Sequence, residues 1–417
     1  MLDGQSLGAA LAASGADDAG AARSLVHELA YGTLRHYGTL QALIRSLSDK
    51  PIPDRKLAAL IAVALYQLEH AKAPPFAVVD QAVGAAATIA RPAAKGLVNA
   101  LLRRFLRERE SLLERARSEP VGRWSHPRWW IARVRSDWPQ HWESILDAGN
   151  QRPPLALRVN LRRTSREALL DRFAQDGIAA RAEGAQGVVV DVPRPVSEIP
   201  GFAAGEFSVQ DLGAQLAAPL LGVGDGHRVL DACAAPGGKA SHLLETGAIE
   251  LTALDSDGAR LPRVRENLAR LALDGPQVRI VQADAAQPAS WWDGAPFDRI
   301  LADVPCTASG VVRRHPDGKW LRRPTDLIGF AIQQRALLEG LWPTLARGGR
   351  LLYATCSVFR EENETRIAEF MARTPDALRE SLTLADDIPH SGGQLLPSPE
   401  GAGHNHDGFF YALLRKA

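Results

Sequence analysis

Short runs of β-forming residues alternate with helical patterns in the second half of the chain, from about Phe207 onward. The strand candidates are rich in aliphatic and β-branched residues and are 228–230, 250–254, 278–281, 299–302 and 350–353. Strands that alternate with helices are typical of a doubly wound parallel sheet. Ligands bind outside the carboxyl ends of the strands in such a sheet, so the residues that follow each strand form the candidate site.

A glycine-containing loop follows the first strand candidate. Residues 231–239 read Asp-Ala-Cys-Ala-Ala-Pro-Gly-Gly-Lys, and we expect a helix to begin at Lys239 or Ala240. Gly237 and Gly238 allow a sharp turn and a close approach of the backbone to a ligand. The loop lacks the G-x-G-x-x-G spacing of dinucleotide-binding proteins. It therefore favours a ligand without phosphates, such as the amino-acid end of S-adenosylmethionine.

Three aspartates follow successive strand candidates. Asp255 follows the second strand, 18 positions after Gly237, where an acidic residue accepts hydrogen bonds from ribose hydroxyls. Asp284 follows the third strand, where it is placed to accept from an adenine amino group, and Asp303 follows the fourth. A strand-end aspartate often only caps the next helix. Three in succession behind a glycine turn favour a cofactor that contains adenosine.

Two of the three cysteines also follow strand candidates. Cys306 comes after the fourth strand and Cys356 after the fifth, so a parallel sheet can bring them together. The alternative is that both are small buried hydrophobic residues, as free cysteines usually are. A thiolate that adds to C6 of cytosine would make C5 nucleophilic enough to accept a methyl group. Cys233 lies inside the glycine loop, where packing and backbone contact to the cofactor explain it.

The first half of the chain has a different organisation. Helical periodicity runs from about Asp17 to Arg117, with breaks at 50–53, 74–75 and 91–92, and predicts about five helices. A stretch rich in tryptophan and proline follows at 124–154. A strand at 155–160, a helix at 165–176 and a strand at 188–192 then predict a small α+β insert. The predicted domains are 1–120 (helical), 121–205 (connector and α+β subdomain) and 206–417 (catalytic).

Charge and cysteine content restrict the cellular setting and the partners. The net charge is only +1, so an RNA-binding surface must come from local clusters of basic residues. We interpret the cluster at 103–109 as a solvated face and the segment 312–323, with five cations, His315 and Trp320, as an RNA contact. The insert at 155–192 is either a second RNA surface or a scaffold. His404 and His406 favour a flexible surface loop over a metal site. Three cysteines and no long apolar run favour a reducing compartment without a membrane span.

Several of these motifs resemble one known family. Residues 231–239, 303–306 and 355–357 resemble the RNA cytosine-5 methyltransferases of the Sun/Nol family. Residues 150–154, 313–322 and 407–411 resemble its bacterial small-subunit rRNA methyltransferase B group. The helical N-terminal region resembles the antitermination factor NusB at 66–68, 95–97 and 99–103.

The resemblance implies a cytoplasmic, monomeric enzyme without a metal that methylates C5 of a cytosine in 16S ribosomal RNA with S-adenosylmethionine. It makes Cys356 the nucleophile and Cys306 the residue that assists release of the methylated base. The residues that it places in the cofactor site are Cys233, Ala234, Ala235, Pro236, Gly237, Gly238, Lys239, Asp255, Asp284 and Asp303. The chain departs from the family at Val304, where alanine is usual, and at the start, where members commonly have a further helix.

Two alternatives remain from the sequence. A DNA cytosine-5 methyltransferase would use the Pro-Cys at Cys306 as its nucleophile, and the cysteine pair and helical N-terminal region speak against it. A non-catalytic RNA-binding assembly factor would keep the fold alone, and the intact cysteine pair and glycine loop speak against that.

Overall fold

The computed structural model describes residues 4–16, 20–71, 73–89, 93–382, 392–398 and 405–417. The chain divides into two compact units. The first comprises Met1–Arg152 and Val312–Pro324, and the second comprises Pro153–Val311 and Thr325–Ala417. Within the described ranges, none of the helices combines the length and the apolar character that a membrane crossing requires.

The helices and strands are numbered in chain order. The helices are α1 Leu7–Ala13, α2 Arg23–Arg35, α3 Tyr37–Leu47, α4 Arg55–His70, α5 Pro75–Ile89, α6 Ala94–Arg117, α7 Pro120–Trp124, α8 Arg128–Asp137, α9 Trp142–Ala148, α10 Arg166–Gln175, α11 Ala217–Leu221, α12 Gly238–Thr246, α13 Leu261–Arg270, α14 Gly318–Leu321, α15 Pro324–Leu341 and α16 Glu364–Arg373. The strands are β1 Leu155–Val159, β2 Ala180–Glu183, β3 Gly187–Val190, β4 Phe207–Val209, β5 Arg228–Asp231, β6 Glu250–Asp255, β7 Val278–Gln282, β8 Phe297–Asp303, β9 Leu345–Thr355, β10 Ala377–Glu380, β11 Gln394–Leu395 and β12 Phe409–Lys416.

The first unit is built on the predicted helices. Between Asp17 and Arg117 the described residues form α2 to α6, which confirms the expected five. Two of the predicted breaks fall between helices: 50–53 follows the end of α3, and 74–75 lies where α5 begins at Pro75. The third predicted break, at 91–92, lies outside the described residues. The apolar faces meet in one core, in which Ile61, Leu65 and Phe105 are fully buried. Helical periodicity therefore located this core correctly.

The tryptophan-rich stretch forms α7, α8 and α9, and it lies in the first unit. Trp130 and Trp138 are buried, and the Trp124 and Trp142 rings meet edge to face with centroids 5.2 Å apart. Aromatic burial of this kind stabilises short helices that have too few hydrogen bonds to persist alone.

The basic segment 312–323 is part of the first unit, and two of its cations are buried. Lys319 is fully buried, and its Nζ donates to the Arg35 carbonyl oxygen at 2.9 Å and to Asn150 Oδ1 at 2.7 Å. Arg313 is 1% exposed, and its carbonyl oxygen accepts from Arg35. The prediction that these two side chains contact RNA phosphates is wrong. A count of charges in the sequence does not reveal that both side chains are buried, with Lys319 held by one backbone carbonyl and one side-chain amide.

The surface cluster at 103–109 agrees with the interpretation as a solvated charged face. Arg104 pairs with Glu108 at 3.0 Å and Arg109 with Glu69 at 2.8 Å. Arg103 donates to Asn99 Oδ1 one helical turn away. Acidic or amide side chains thus engage Arg103, Arg104 and Arg109, as is usual on a solvated charged face.

The second unit contains the predicted doubly wound sheet. Its strand order is β10-β12-β9-β8-β5-β6-β7, and β11 pairs with β12. The strands β5 to β9 pair with one another in parallel, as predicted. At one side of the sheet β12 pairs antiparallel with β9, and β10 pairs antiparallel with β12, which the sequence did not indicate. The interior strands β5, β8 and β9 bury Leu230, Ile300 and Leu352 completely.

The α+β insert also forms as predicted. Its sheet has the order β2-β3-β1-β4, and α10 begins after Ser165, whose Oγ accepts from the Ala168 N–H. Leu157, Phe173 and Phe207 form its small core.

A buried arginine connects the α+β insert to α12, the helix that follows β5. Arg158 on β1 is completely buried, and its guanidinium donates to both carboxylate oxygens of Glu245 on α12, at 2.8 and 3.1 Å. It also donates to the Gly238 carbonyl oxygen at 2.8 Å, to Ser241 Oγ at 3.1 Å and to Gln210 Oε1. Arg158 therefore fixes α12, and with it the glycine loop, against the insert.

We expect Arg158→Ala to lower the free energy of unfolding of the second unit by about 3–5 kcal/mol, since it leaves the buried Glu245 carboxylate without its cation. Denaturant titration measures the loss. The matched control is Arg181→Ala, since the Arg181 side chain is about half exposed and its partner Asp191 lies at the surface. It should cost under about 1 kcal/mol. Equal losses in the two variants would contradict the role given to Arg158.

Candidate active site at the carboxyl ends of the parallel strands

Parallel pairing brings the predicted site residues to one edge of the sheet. Asp231 at the end of β5 pairs in register with Leu301 of β8 and Ala253 of β6. Asp303 at the end of β8 pairs with Ala354 of β9, so the loops that carry Cys306 and Cys356 begin side by side. The cysteines, the glycine loop and the aspartates predicted from the sequence all follow these strand ends.

The glycine loop has the conformation that its sequence predicts. Gly237 is the N-cap of α12 and has a φ of 101°, in the left-handed region that glycine adopts without strain. A Cβ at Gly237 would lie 3.2 Å from Val264 Cα, whereas a Cβ at Gly238 would meet no atom within 4 Å. Open space therefore lies in front of Gly238, beside the first free N–H groups of α12.

Asp255 is buried and supports the glycine loop. Its Oδ2 accepts from the Ala235 N–H at 3.0 Å, and its Oδ1 accepts from the Asp257 N–H at 3.0 Å. Arg260 Nη1 lies 3.7 Å from Oδ2. Each carboxylate oxygen can accept more than one hydrogen bond. The ribose-binding role of Asp255 stays a prediction.

Asp284 is exposed and caps its own loop. Its side chain accepts from the Ala286 N–H at 2.9 Å and from Gln287 Nε2 at 3.0 Å. These contacts are the local capping that any strand-end aspartate can make. The adenine-binding role of Asp284 also stays a prediction.

Lys239 and Asp303 form an ion pair within the site. Lys239 Nζ lies 2.6 Å from Asp303 Oδ2. Burial by itself lowers the pKa of Lys239, but the Asp303 carboxylate outweighs it, with smaller effects from Cys356 and Asp231, and the pKa is raised. Lys239 therefore carries a fixed positive charge next to Asp303 and Cys356.

The two strand-end cysteines are in contact. Cys306 Sγ and Cys356 Sγ are 3.4 Å apart, and the structure holds them as free thiols. Cys306 is buried, and Cys356 is more accessible. The hydrogen bond with Cys356, together with burial, raises the pKa of the Cys306 thiol well above its ordinary value. Burial and then Asp303 raise the pKa of Cys233 well above its ordinary value too.

Asp231 and Glu362 are two site residues that the sequence analysis missed. Neither oxygen of the buried Asp231 carboxyl group accepts a hydrogen bond of ordinary geometry, although the Cys233 amide is near enough to influence it. Burial, followed by repulsion from Asp303, raises the pKa of Asp231 to about 7. Glu362 is buried and accepts from Thr307 and Ser357. An acidic residue at the end of a buried strand was the available signal for Asp231.

His406 does not lie on the surface loop that the sequence suggested. It is 3% exposed, and its Nδ1 is 2.8 Å from the Asp407 carbonyl oxygen. The expectation of a surface loop is wrong for His406, because the chain that precedes β12 packs inward, and His404 lies outside the described residues. Within the described part of the chain, no three His, Cys, Asp or Glu side chains are grouped as a metal site would need.

Three family models match the chain. One described as 16S rRNA methyltransferase RsmB/F matches residues 218–415, and one described as the ferredoxin-like domain of RsmF/B-like methyltransferases matches residues 126–197. The NusB family model matches residues 1–107.

Curated bacterial proteins match almost the whole chain. The ribosomal RNA small subunit methyltransferase B of Pseudomonas putida is 46% identical over 400 residues, which cover 94% of this chain and 90% of that protein. The protein of the same name from Pectobacterium carotovorum is 41% identical over 426 residues, which cover 100% of this chain and 96% of that protein. The chain belongs to the RsmB/F family of 16S rRNA methyltransferases.

Solved structures share the fold. The crystal structure of PH0851 has a TM-score of 0.78 and 25% identity, and covers 94% of this chain and 90% of that chain. A methyltransferase homologue from Pyrococcus horikoshii has a TM-score of 0.60 and 26% identity, and covers 71% of this chain and 97% of that chain. The predicted fold class, a NusB-like helical region followed by a Rossmann-like methyltransferase region, is thus confirmed.

Membership in the family identifies S-adenosylmethionine as the cofactor. The strand-end residues fit this group, since open space lies before Gly238, and the buried carboxyl group of Asp231, at the start of the same loop, has unused hydrogen-bonding capacity. The family is directed at ribosomal RNA, which favours the RNA interpretation over a DNA cytosine-5 methyltransferase.

We expect Asp231→Asn to remove a pH-dependent loss of stability. The pKa of Asp231 is about 7 in the folded protein and near 3.8 in the unfolded chain. Between these pH values the folded state binds more protons than the unfolded state, so the free energy of unfolding falls as pH rises from 4 to 7. The slope is up to about 1.4 kcal/mol per pH unit. Melting temperatures from pH 4.5 to 7.5 measure it, with the exposed Asp284→Asn as control. Parallel profiles for wild type and Asp231→Asn would refute the assignment.

Proposed function

We propose that the protein transfers a methyl group from S-adenosylmethionine to C5 of a cytosine in 16S ribosomal RNA, through a covalent bond between Cys356 and C6. The observation that carries the proposal is the 3.4 Å contact between the Cys306 and Cys356 thiols at neighbouring strand ends. A methyltransferase whose acceptor is a nucleophilic oxygen or nitrogen needs no thiol, whereas C5 of cytosine must first be activated.

Cys356 is the nucleophile in this proposal. It is the more accessible thiol of the pair, and Lys239 lies near enough for the two charges to influence each other. The thiolate is the reactive form of a nucleophilic cysteine. As the Cys356 sulfur bonds to C6, the electron pair of the C5–C6 double bond moves onto C5 and into conjugation with C4 and N3, which makes C5 nucleophilic.

Asp303 and Lys239 assist the addition step. We assign the Asp303 carboxyl group to N3 of the cytosine, where it stabilises the ring proton during addition. The ion pair with Lys239 holds this carboxyl group in place at the strand end. Bound S-adenosylmethionine supplies the electrophilic methyl group that C5 receives.

Cys306 assists the release step. Once C5 is methylated, a base removes the C5 proton, the electrons of that C–H bond re-form the C5–C6 double bond, and the Cys356 sulfur leaves. Cys306 is buried against Cys356 and is held as a thiol, so it can return a proton to the departing sulfur. A single cysteine would suffice for attack, and a second thiol in contact with it points to this later step.

The remaining assignments concern the cofactor, the RNA and the domains. The cofactor site comprises the glycine loop from Cys233 to Lys239 with Asp255, Asp284 and Asp303. The proposed domains are a NusB-like domain at 1–120, a connector with the α+β subdomain at 121–205 and a catalytic domain at 206–417. The enzyme is proposed to be cytoplasmic. Relatives named ribosomal RNA small subunit methyltransferase B support 16S rRNA as the substrate.

Asp255→Ala should weaken S-adenosylmethionine binding by more than about tenfold, or about 1.4 kcal/mol, because the ribose hydroxyls lose a charged acceptor. Isothermal calorimetry measures the dissociation constant. The control is Asp257→Ala, since the Asp257 side chain accepts from the Ala259 N–H within its own turn. An unchanged constant for Asp255→Ala would remove Asp255 from the cofactor site.

The two cysteines should fail at different steps. Cys356→Ala should abolish methyl transfer and form no covalent RNA adduct. Cys306→Ala should still permit attack and methylation but stall the release. The stalled species is a protein–RNA conjugate that migrates slowly in a denaturing gel.

The opposite pattern would overturn the assignment. An adduct from Cys356→Ala with none from Cys306→Ala would make Cys306 the nucleophile, as the DNA-methyltransferase alternative requires. Wild-type protein that binds rRNA but transfers no labelled methyl group would instead support the non-catalytic assembly factor.

A further inference from the structure

A single buried carboxylate contacts the residue that follows each of the two cysteines. Glu362 Oε1 accepts from the Thr307 backbone N–H at 2.8 Å, and Glu362 Oε2 accepts from Thr307 Oγ1 at 2.5 Å. The same Oε2 accepts from Ser357 Oγ at 2.6 Å. Thr307 is the neighbour of Cys306, and Ser357 is the neighbour of Cys356. Glu362 therefore bridges the two cysteine loops.

Further bonds tie the loops to each other around this carboxylate. Ser357 Oγ lies 2.9 Å from Ser309 Oγ and accepts from the Phe359 N–H at 3.0 Å. The Gly310 N–H donates to the Cys356 carbonyl oxygen at 2.8 Å. The backbone on both sides of each cysteine is thereby constrained, and Glu362 lies at the centre of this network.

Burial of Glu362 is costly for the fold. The side chain is fully buried, and burial raises its pKa even though hydrogen bonds from Ser357 and Thr307 oppose the rise. The donors that reach its oxygens are hydroxyl and amide groups, with Gln334 Nε2 more distant at 3.4 Å. An apolar residue would avoid this desolvation cost. A carboxylate kept at such a position indicates a functional requirement.

We propose that Glu362 is a positioning residue that sets the distance and orientation of the Cys306 and Cys356 thiols. The inference rests on the proposed function, because attack and release then act on the same C5–C6 bond. The Cys356 sulfur must reach C6, and the Cys306 thiol must reach the Cys356 sulfur as it departs. An error of about 1 Å in such a geometry can cost about 100-fold in rate. Glu362 touches neither the substrate nor the cofactor in this account and acts only through Thr307 and Ser357.

Two substitutions at Glu362 separate the effect of its side-chain length from the effect of its charge. Glu362→Gln keeps the length of the side chain but replaces one acceptor oxygen by a donor, so either the two hydroxyl groups or the Thr307 N–H lose their acceptor. Glu362→Asp keeps the charge but is one methylene shorter, so it can hold only one of the two loops. Ser357→Ala removes the contact to one loop and leaves the carboxylate in place. The matched control is Glu364→Gln, whose side chain pairs with Arg379 away from the cysteines.

The first measurement tests the distance between the two thiols and does not depend on methyl-transfer activity. The thiol oxidant diamide removes two hydrogen atoms from a pair of neighbouring thiols and leaves a disulfide. Peptide mapping by mass spectrometry then gives the rate of formation of the Cys306–Cys356 bond. Wild type and Glu364→Gln should form it at the same rate. Glu362→Gln and Glu362→Asp should form it at least about tenfold more slowly, since the sulfurs are less often within reach of each other.

The second measurement is single-turnover methyl transfer to 16S rRNA. Both Glu362 variants should lose at least about tenfold in rate while the dissociation constant of S-adenosylmethionine stays unchanged, which separates a positioning loss from a binding loss. Ser357→Ala should show a smaller loss of both rates. A variant with a lower melting temperature but unchanged thiol pairing and turnover well below that temperature would overturn the proposal, since Glu362 would then be only structural.

The outcomes for Glu362 and for the proposed function are distinguishable. Slow thiol pairing in the Glu362 variants, with a wild type that makes no C5-methylcytosine, would support the positioning role and overturn the proposed reaction. C5 methylation by the wild type, with full thiol pairing and turnover in both variants, would overturn the positioning role alone.

Discussion

The parallel pairing of β8 with β9 is the constraint on which the rest of the site depends. Asp303 lies opposite Ala354 in this register, so the chain leaves both strands at the same level of the sheet. Cys306 is three residues beyond Asp303, and Cys356 is two residues beyond Ala354. A shift of one residue would turn the side chains of one strand to its other face and separate the thiols. The 3.4 Å contact between the sulfurs is therefore a consequence of backbone hydrogen bonding in the core of the sheet.

The two thiols differ in their burial and in the groups that lie near them. The accessible Cys356 lies near the Lys239 ammonium group, which the Asp303 carboxylate keeps charged. The buried Cys306 faces its partner thiol and has a raised pKa. Asp231 and Glu362 add buried acidic groups whose pKa values are raised by desolvation. The site thus combines one fixed cation with several carboxyl groups in a restricted volume, as expected where protons are moved between groups.

Sequence analysis could locate the fold and the strand-end residues because both depend on local patterns. The alternation of apolar strands with helices identified β5 to β9, and residue types at their ends identified the glycine loop and the cysteines. The antiparallel strands β10 and β12 were not foreseen, because strand order depends on contacts between distant segments. The burial of Lys319 and Arg313 was also hidden, since a buried basic residue has the same sequence signature as one at the surface. The role of Glu362 could not be predicted from the sequence either, because its partners Thr307 and Ser357 become neighbours only when β8 and β9 pair.

The site of methylation is the central claim, and release of the C5 hydrogen tests it most directly. Unmethylated 16S rRNA carrying tritium at C5 of its cytosines would be incubated with the protein and S-adenosylmethionine bearing a carbon-14 methyl group. Our account predicts that one tritium appears in water for each methyl group bound to RNA, since C5 loses its hydrogen in every turnover. Methyl incorporation without release of tritium would contradict it, because the methyl group would then be on another atom of the RNA.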